Sequence, residues 1–215
     1  MHRDNSTPFP GTDLLPQPNA QCSELSSGPV NEAHNDFVFI HINKTGGTSI
    51  ETALGLKLEH KTAQEKIWQL GISTWQNRFT FAFVRNPWDR VVSHYHYRVE
   101  TNQTGLGTQT TSFTEWVFRA YGARDPIYCD HARFFMPQSN WIVDDKGQLL
   151  VDFVGRFETI EKDFGVVCER LGRTATLPHI KKSKHDHYRS YYNDATKQIV
   201  EKRFLADIER FGYRF

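Results

Sequence analysis

Residues 37–51 read Phe-Val-Phe-Ile-His-Ile-Asn-Lys-Thr-Gly-Gly-Thr-Ser-Ile-Glu. The apolar and aromatic residues of 37–42 predict a strand that is buried on both faces. The glycine pair then allows a tight turn, and a helix over about 50–56 follows. Thr48 and Ser49 stand where this helix presents unpaired N–H groups. The stretch therefore predicts a binding site for phosphate or sulfate.

The position of the lysine separates this loop from the phosphate loop of ATP-binding enzymes. In that pattern a lysine and a hydroxyl residue directly follow the last glycine, whereas Lys44 precedes both glycines here. Taken alone, the stretch is also compatible with an ordinary strand-to-helix turn in which Thr48 caps the helix. Residues further along the chain are needed to choose between these interpretations.

A second strand followed by a helix carries candidate phosphate ligands of its own. Residues 79–84, Phe-Thr-Phe-Ala-Phe-Val, predict the strand, and the Asn-Pro pair that comes soon after it predicts the start of a helix. Arg85 lies at the carboxyl end of the strand, where open α/β sheets bind ligands, and Ser93 lies two turns into the helix. Together they could hold a second phosphate. The alternative is an ion pair of Arg85 with Asp89 at the helix start.

Local signals predict the other elements. Thr62 and Glu65 form a capping box, and Ser112 opens another helix. We expect helices over about 62–70, 112–121, 160–171 and 194–210, a hairpin over 141–152, a strand over 151–154, an irregular region over 122–140 and a mobile loop over 101–111. Strands that each feed a helix predict a parallel sheet with helices on both sides.

Length, charge and cysteine content narrow the class of protein. A chain of 215 residues suffices for one domain, and we expect a flexible polar arm over 1–35 and a single domain over 36–215. The formal net charge of +1 argues against a polybasic nucleic-acid-binding protein. No apolar stretch approaches the ~20 residues of a membrane helix. The three cysteines lack a metal-ligand spacing, which favours reduced thiols in the cytoplasm; the luminal domain of an anchored enzyme is the alternative.

The two strand–loop–helix units together resemble the sulfotransferases that use 3′-phosphoadenosine 5′-phosphosulfate (PAPS). The stretch Val-Arg-Asn-Pro-Trp-Asp-Arg-Val-Val-Ser over 84–93 is similar to the 3′-phosphate motif of that family, and residues 43–49 are similar to its 5′-phosphosulfate loop. The resemblance covers about residues 37–100 and is closest to the carbohydrate branch, with the heparan 2-O- and 6-O-sulfotransferases and their small bacterial relatives. It implies a single domain with a P-loop-like parallel sheet flanked by helices.

The resemblance implies roles for individual residues. Lys44 would contact the phosphosulfate and stabilise charge on the bridging oxygen as the sulfuryl group leaves. Arg85 and Ser93 would bind the 3′-phosphate. The scheme needs no metal, and the donor would leave as 3′-phosphoadenosine 5′-phosphate (PAP). The 5′-phosphate would be held by amides and hydroxyls of the loop, namely those of Thr45, Gly46, Gly47, Thr48 and Ser49.

Three residues are candidates for the base that takes the proton of the acceptor hydroxyl. His60 occupies a place comparable to the histidine of the 2-O- and 6-O-sulfotransferases, and an imidazole suits proton transfer near neutral pH. Glu51 and Glu59 are the rivals, because other sulfotransferase branches use a carboxylate. His94 and His96 lie on the second predicted helix, and we expect structural roles for them.

Further phosphate contacts are expected from the second half of the chain. Arg156 lies in a Gly-Arg-Phe-Glu stretch that is similar to the bacterial members of the family. The basic run near residue 180 is either a solvated surface or a source of phosphate ligands, and its candidates are Lys181, Ser183 and Lys184.

Three functions remain open from the sequence. The leading one is transfer of a sulfuryl group from PAPS to a hydroxyl of a carbohydrate or another small polar acceptor. A kinase-like phosphotransferase is disfavoured by the position of Lys44. A non-catalytic nucleotide- or glycan-binding module is disfavoured because Lys44, Arg85 and Ser93 are all present.

Overall fold

The structure, a computed structural model, describes residues 36–108, 111–178 and 186–215. Within these residues three strands form one parallel sheet: β1 (Phe37–Ile40), β2 (Phe79–Val84) and β3 (Phe153–Arg156). The central strand is β2, which pairs with β1 and with β3. The carboxyl ends of all three strands therefore lie at the same edge of the sheet. The predicted fold class, a parallel sheet flanked by helices, is confirmed.

Helices fill the connections that parallel strands require. Before β2 these are α1 (Gly47–Leu54), α2 (Ala63–Leu70) and α3 (Ile72–Gln76). Between β2 and β3 they are α4 (Pro87–Glu100) and α5 (Phe113–Val117), which continues as a π-helix (Phe118–Ala123). After β3 they are α6 (Ile160–Arg170), α7 (Asp194–Arg203) and α8 (Leu205–Phe211). Short 3₁₀ turns lie at Gln103–Gly105, Ala132–Phe135, Ser139–Trp141, Phe157–Thr159 and Tyr188–Tyr191.

Side chains alternate between the two faces of the sheet, and each face is buried. One face contributes aliphatic side chains to a cluster with α2, α3 and the C-terminal segment; its strand members are Val38, Ile40, Ala82 and Val84. The other face is aromatic and packs against α1 and α6; its strand members are Phe37, Phe39, Phe81 and Phe83. A third cluster joins α4, α5 and α7 beside the sheet. Burial on both faces is what the continuous apolar runs of β1 and β2 predicted.

Several predicted boundaries are wrong, and tertiary contacts explain the differences. The strand predicted over 151–154 is observed as β3 at Phe153–Arg156. Just before it, the carboxylate of Asp152 accepts hydrogen bonds from the N–H and the hydroxyl of Thr80, so a side chain takes the place of strand pairing there. The predicted hairpin is reduced to one antiparallel bridge between Val143 and Leu149. The predicted final helix is broken at Phe204, which turns into the core and is 1% exposed.

Some predictions lie outside the described residues. These are the polar arm over 1–35, part of the loop over 101–111, and the basic residues Lys181, Ser183 and Lys184. Among the helices that the structure describes, none combines the length and apolarity that a bilayer crossing requires.

Candidate active site

The loop between β1 and α1 has an unusual backbone. Lys44 has φ 66° and Gly46 has φ 88°, both in the left-handed region. The hydroxyl of Thr45, a fully buried residue, donates to the carbonyl of Ile42 at 2.8 Å and holds the turn from inside. Gly46 is the N-cap of α1, and no side chain caps this helix. The interpretation of Thr48 as the cap is therefore wrong. The N–H of Ser49 donates to the carbonyl of Gly46 at 3.1 Å, and a helix start without a side-chain cap can bind an external acceptor through its other first N–H groups.

Both glycines of the loop are required by close contacts. A Cβ at Gly46 would lie 2.5 Å from Cδ1 of Ile160 on α6. A Cβ at Gly47 would lie 2.0 Å from Cδ2 of His41, because the imidazole ring of His41 lies directly against the backbone here. The loop is thus pressed onto α6 on one side and onto His41 on the other.

Arg85 brings the second predicted phosphate site against this loop. Its Nη1 donates to the main-chain oxygen of Lys44 at 3.3 Å, and its guanidinium lies 4.0 Å from the centre of the Phe157 ring. Its Nε also contacts the carboxylate of Asp89 at 2.8 Å. The ion pair with Asp89 and the contact with the loop therefore coexist, so one interpretation of Arg85 does not exclude the other.

The backbone of Arg85 is fixed by a buried glutamine. Gln138, which is fully buried, accepts from the N–H of Arg85 and donates to its carbonyl, both at 2.8 Å. The carboxylate of Asp207 in turn accepts from the N–H of Gln138 at 2.7 Å. A chain of hydrogen bonds from α8 thus positions Arg85, the residue that follows β2.

One face of α4 is directed at the loop. Arg90, which is 3% exposed, donates from Nε to the carbonyl of Asn43 at 3.1 Å and from Nη2 to its side-chain oxygen at 2.6 Å. Further along the same face, the ring of Tyr97 lies 4.1 Å from Nζ of Lys44. Ser93 is buried and lies between these two residues on the helix. Arg90, Ser93 and Tyr97 lie on one face of α4, because residues three and four positions apart are neighbours on a helix surface.

Two of the candidate bases, His60 and Glu51, contact His41, which lies between β1 and the loop. His60 contacts the main-chain oxygen of His41 through Nδ1 at 3.0 Å, and the two ring centres are 4.3 Å apart. Glu51 of α1, which is 4% exposed, places Oε1 2.8 Å from Nδ1 of His41. Glu59 forms ion pairs with Lys61 and Lys66. His60 and Glu51 are therefore connected through His41, whereas Glu59 is engaged with lysines.

The directions of the pKa shifts indicate that His60 is a better candidate base than Glu59. Burial lowers the pKa of His60, and the neighbouring His41 adds to this effect, so its imidazole is neutral near pH 7. Burial alone raises the pKa of Glu59, but hydrogen bonds from Lys61 and Lys66 outweigh it, and the net effect is a lowered pKa. A neutral imidazole can accept a proton, whereas a carboxylate stabilised by two lysines is a poor base.

Comparison with known proteins places the chain in a family. The model of the sulfotransferase family matches residues 30–214. The chain belongs to the sulfotransferase family. An uncharacterized protein from Archaeoglobus fulgidus is 27% identical over 123 residues, which are 56% of this chain and 91% of that protein. The crystal structure of a sulfotransferase from Alicyclobacillus acidocaldarius covers 81% of this chain and 93% of its own, with 15% identity and a TM-score of 0.46.

Not every candidate of this sulfotransferase lies in the site. Arg156 ends β3, but its guanidinium donates to the carbonyl of Phe211 at 2.5 Å and lies 5.0 Å from the centre of the Tyr213 ring. His94 is buried among aromatic rings and contacts the hydroxyl of Tyr121 at 3.1 Å. Among the described residues, no group of three or more His, Cys, Asp or Glu side chains could hold a metal ion.

The sequence interpretation missed several residues that build the site. His41 falls within the run that predicts the first strand, but its ring and backbone contact Glu51, His60 and Gly47. The carboxylate of Glu158 accepts from the N–H of Asn86 at 2.6 Å and holds the start of α4, a contact that no local spacing predicts. A histidine within an otherwise apolar strand was the available signal for His41, because a buried imidazole needs polar partners.

Proposed function

We propose that this protein transfers a sulfuryl group from PAPS to a hydroxyl group. The observation that carries the proposal is the 3.3 Å contact between Nη1 of Arg85 and the main-chain oxygen of Lys44. It joins the two segments for which we propose anion binding, one after β1 and one after β2, at the same edge of the sheet. A donor with two separate phosphate groups can bridge such a pair of units.

The residues at the loop fit the phosphosulfate end of PAPS. The uncapped start of α1 offers N–H donors and the positive end of a helix dipole. Thr48 is exposed and Ser49 is half-buried, so their hydroxyls are accessible to a ligand. We expect the amides and hydroxyls of 45–49 to bind the 5′-phosphate, with Lys44 at the phosphosulfate.

Arg85 and Ser93 fit the 3′-phosphate, which distinguishes this donor from ordinary nucleotides. Arg85 is 6% exposed and is held by Gln138, Asp89 and Phe157, so little conformational entropy is lost when it binds an anion. A guanidinium of fixed geometry can bind a phosphate through two parallel hydrogen bonds.

The chemistry requires charge balance and one proton transfer. The acceptor oxygen would form a bond to sulfur while the bond from sulfur to the bridging oxygen breaks, and PAP would carry away the negative charge. Lys44 would stabilise that charge on the bridging oxygen. The acceptor proton would pass to His60, whose lowered pKa leaves it neutral near pH 7. Positioning and electrostatics suffice for such a transfer, so the proposal involves no metal.

The acceptor class and the branch rest on the resemblance of the two motifs. A carbohydrate or another small polar hydroxyl compound is the proposed acceptor, as in the heparan 2-O- and 6-O-sulfotransferases. Cytoplasmic location and the absence of nucleic-acid partners stay predictions from composition.

Calorimetric titration with PAP, adenosine 5′-monophosphate and ATP with magnesium tests the donor. We expect PAP to bind most tightly and without metal, and Arg85→Ala to weaken PAP binding by at least tenfold. Adenosine 5′-monophosphate should respond little to that change, because it lacks the 3′-phosphate. Arg119→Ala is the matched control, since Arg119 is exposed and contacts Glu115 and Asp125 instead. Tighter binding of ATP with magnesium would favour a kinase-like phosphotransferase and contradict the proposal.

A further inference from the structure

A buried carboxylate of α1 lies behind the proposed base. Glu51 is 4% exposed, and its Oε1 accepts a hydrogen bond from the N–H of Glu59 at 3.2 Å. The same oxygen lies 2.8 Å from Nδ1 of His41, close enough for an ion pair although the geometry is not that of a hydrogen bond. One carboxylate oxygen thus connects the end of β1 with the residue that precedes His60.

The contact between His60 and His41 defines a tautomer. A carbonyl oxygen only accepts hydrogen bonds, so at 3.0 Å from the oxygen of His41 the Nδ1 of His60 carries the proton. The lone pair of the neutral ring is then on Nε2. Arg133 donates to the carbonyl of His60 and holds its backbone from the other side. This is the tautomer that can accept a proton through Nε2.

His41 also connects this group to the donor loop. Its ring lies against Gly47 so closely that a Cβ there would be 2.2 Å from Nε2 of His41. The ring is 4% exposed and 4.3 Å, centre to centre, from the ring of His60. Any shift of His41 therefore moves either the start of α1 or the ring of His60.

We propose that Glu51 and His41 are positioning residues that hold His60 in its proton-accepting tautomer and set its distance from the donor loop. The inference rests on the proposed function, because it assigns His60 as the base. Glu51 would act through its contact with the ring of His41 and through the N–H of Glu59, and it would exchange no proton with the acceptor. In this proposal Glu51 supports His60 as the base and does not itself accept the proton of the acceptor hydroxyl.

The charges around His60 predict the direction in which its pKa changes when Glu51 is replaced. Burial is the largest effect and lowers the pKa of His60. The electrostatic effects of His41 and Arg133 also lower this pKa, whereas the hydrogen bond to the backbone of His41 and the charge of Glu51 raise it. The other rings around it, those of Phe134 and Trp141, are uncharged. Removing the charge of Glu51 should therefore lower the pKa of His60 further. A change that only loosened the packing would expose the ring and raise its pKa towards the ordinary value.

Nitrogen NMR of the full chain with ¹⁵N-labelled histidine tests the proposal without an acceptor. His60→Ala assigns the signal. We expect wild-type His60 to be protonated on Nδ1, and Glu51→Gln to shift its titration to lower pH. Glu161→Gln on the exposed first turn of α6 is the matched control and should change neither. A wild-type His60 protonated on Nε2, or an unchanged titration in Glu51→Gln, would overturn the proposal.

Kinetics and binding separate this inference from the proposed function. Glu51→Gln should lower kcat by about tenfold or more, out of the ~10²–10⁴-fold that a general base contributes, while PAP binds within about twofold of wild type. Glu51→Asp keeps the charge and should restore part of the activity and the wild-type direction of the titration. If PAP failed to bind the wild type, the proposed function would be wrong, and the NMR experiment would still test the positioning role. Full kcat in Glu51→Gln would contradict the positioning role.

Discussion

The guanidinium of Arg85 donates a hydrogen bond to the main-chain oxygen of Lys44 at 3.3 Å, and Lys44 has a left-handed backbone with φ 66°. A residue with a Cβ costs roughly 1–2 kcal/mol in that conformation. We expect the free energy of unfolding of Lys44→Gly to be about 1 kcal/mol higher than that of Lys44→Ala. Both variants should lose sulfuryl-transfer activity. Urea titration of the two variants measures the difference, and equal stabilities would contradict the strained backbone.

Replacement of Gly47 should affect the fold and the donor site together. The new Cβ of Gly47→Ala would lie 2.0 Å from the ring of His41, so the loop or the ring must move. We expect a loss of roughly 1–3 kcal/mol in stability, the cost of overpacking, and weaker PAP binding. Gly165→Ala on α6 is the matched control, because a Cβ there meets no atom within 4 Å. It should stabilise the protein by roughly 0.5–1 kcal/mol, and a similar loss in both variants would contradict the prediction.

Tyr97 should orient the ammonium group of Lys44. Nζ of Lys44 lies 4.1 Å from the centre of the Tyr97 ring, and such a contact at an exposed site stabilises by roughly 0.5–1 kcal/mol. Tyr97→Leu should therefore lower the rate of transfer by about two- to fivefold. Tyr97→Phe keeps the ring and should behave as wild type. Equal losses in the two variants would show that the hydroxyl, not the ring, matters.

Acid should destabilise the protein through His94. Burial is the main reason that the pKa of His94 lies well below 6.5, and the charges of Arg98, Arg90 and Lys44 add to it. The unfolded chain takes up a proton near pH 6.5 that the folded ring rejects, so stability falls as the pH drops below that value. The loss for one such histidine is about 1.4 kcal/mol at a pH one unit lower. Urea titrations at pH 7.5 and 5.5 should show a smaller difference in His94→Gln than in wild type; an equal difference would contradict this.

The sequence predicted best where the signal is local. The capping box of Thr62 and Glu65, the cap of Asn86 before Pro87 and the strand 79–84 are all present, because each depends on neighbours within a few residues. The parallel sheet follows from two apolar runs that each lead into a helix.

Residues that act through distant contacts escaped prediction. Gln138 fixes Arg85 across 53 positions, and Arg90 binds Asn43 across 47 positions. No local spacing encodes such pairs. His41 shows the same limit, since its partners Glu51 and His60 come from a helix and a connector that the fold brings together. The roles assigned to the loop, Arg85, Ser93 and His60 stay predictions.

Product analysis tests the central claim most directly. The protein is incubated with PAPS and a panel of hydroxylated carbohydrates and small polar acceptors, and both products are identified by mass spectrometry. We predict an acceptor heavier by one sulfuryl group and an equal amount of PAP, without added metal and with Lys44→Ala inactive. Tight binding of PAP with no sulfated product from any acceptor, or phosphate transfer from ATP instead, would contradict the account.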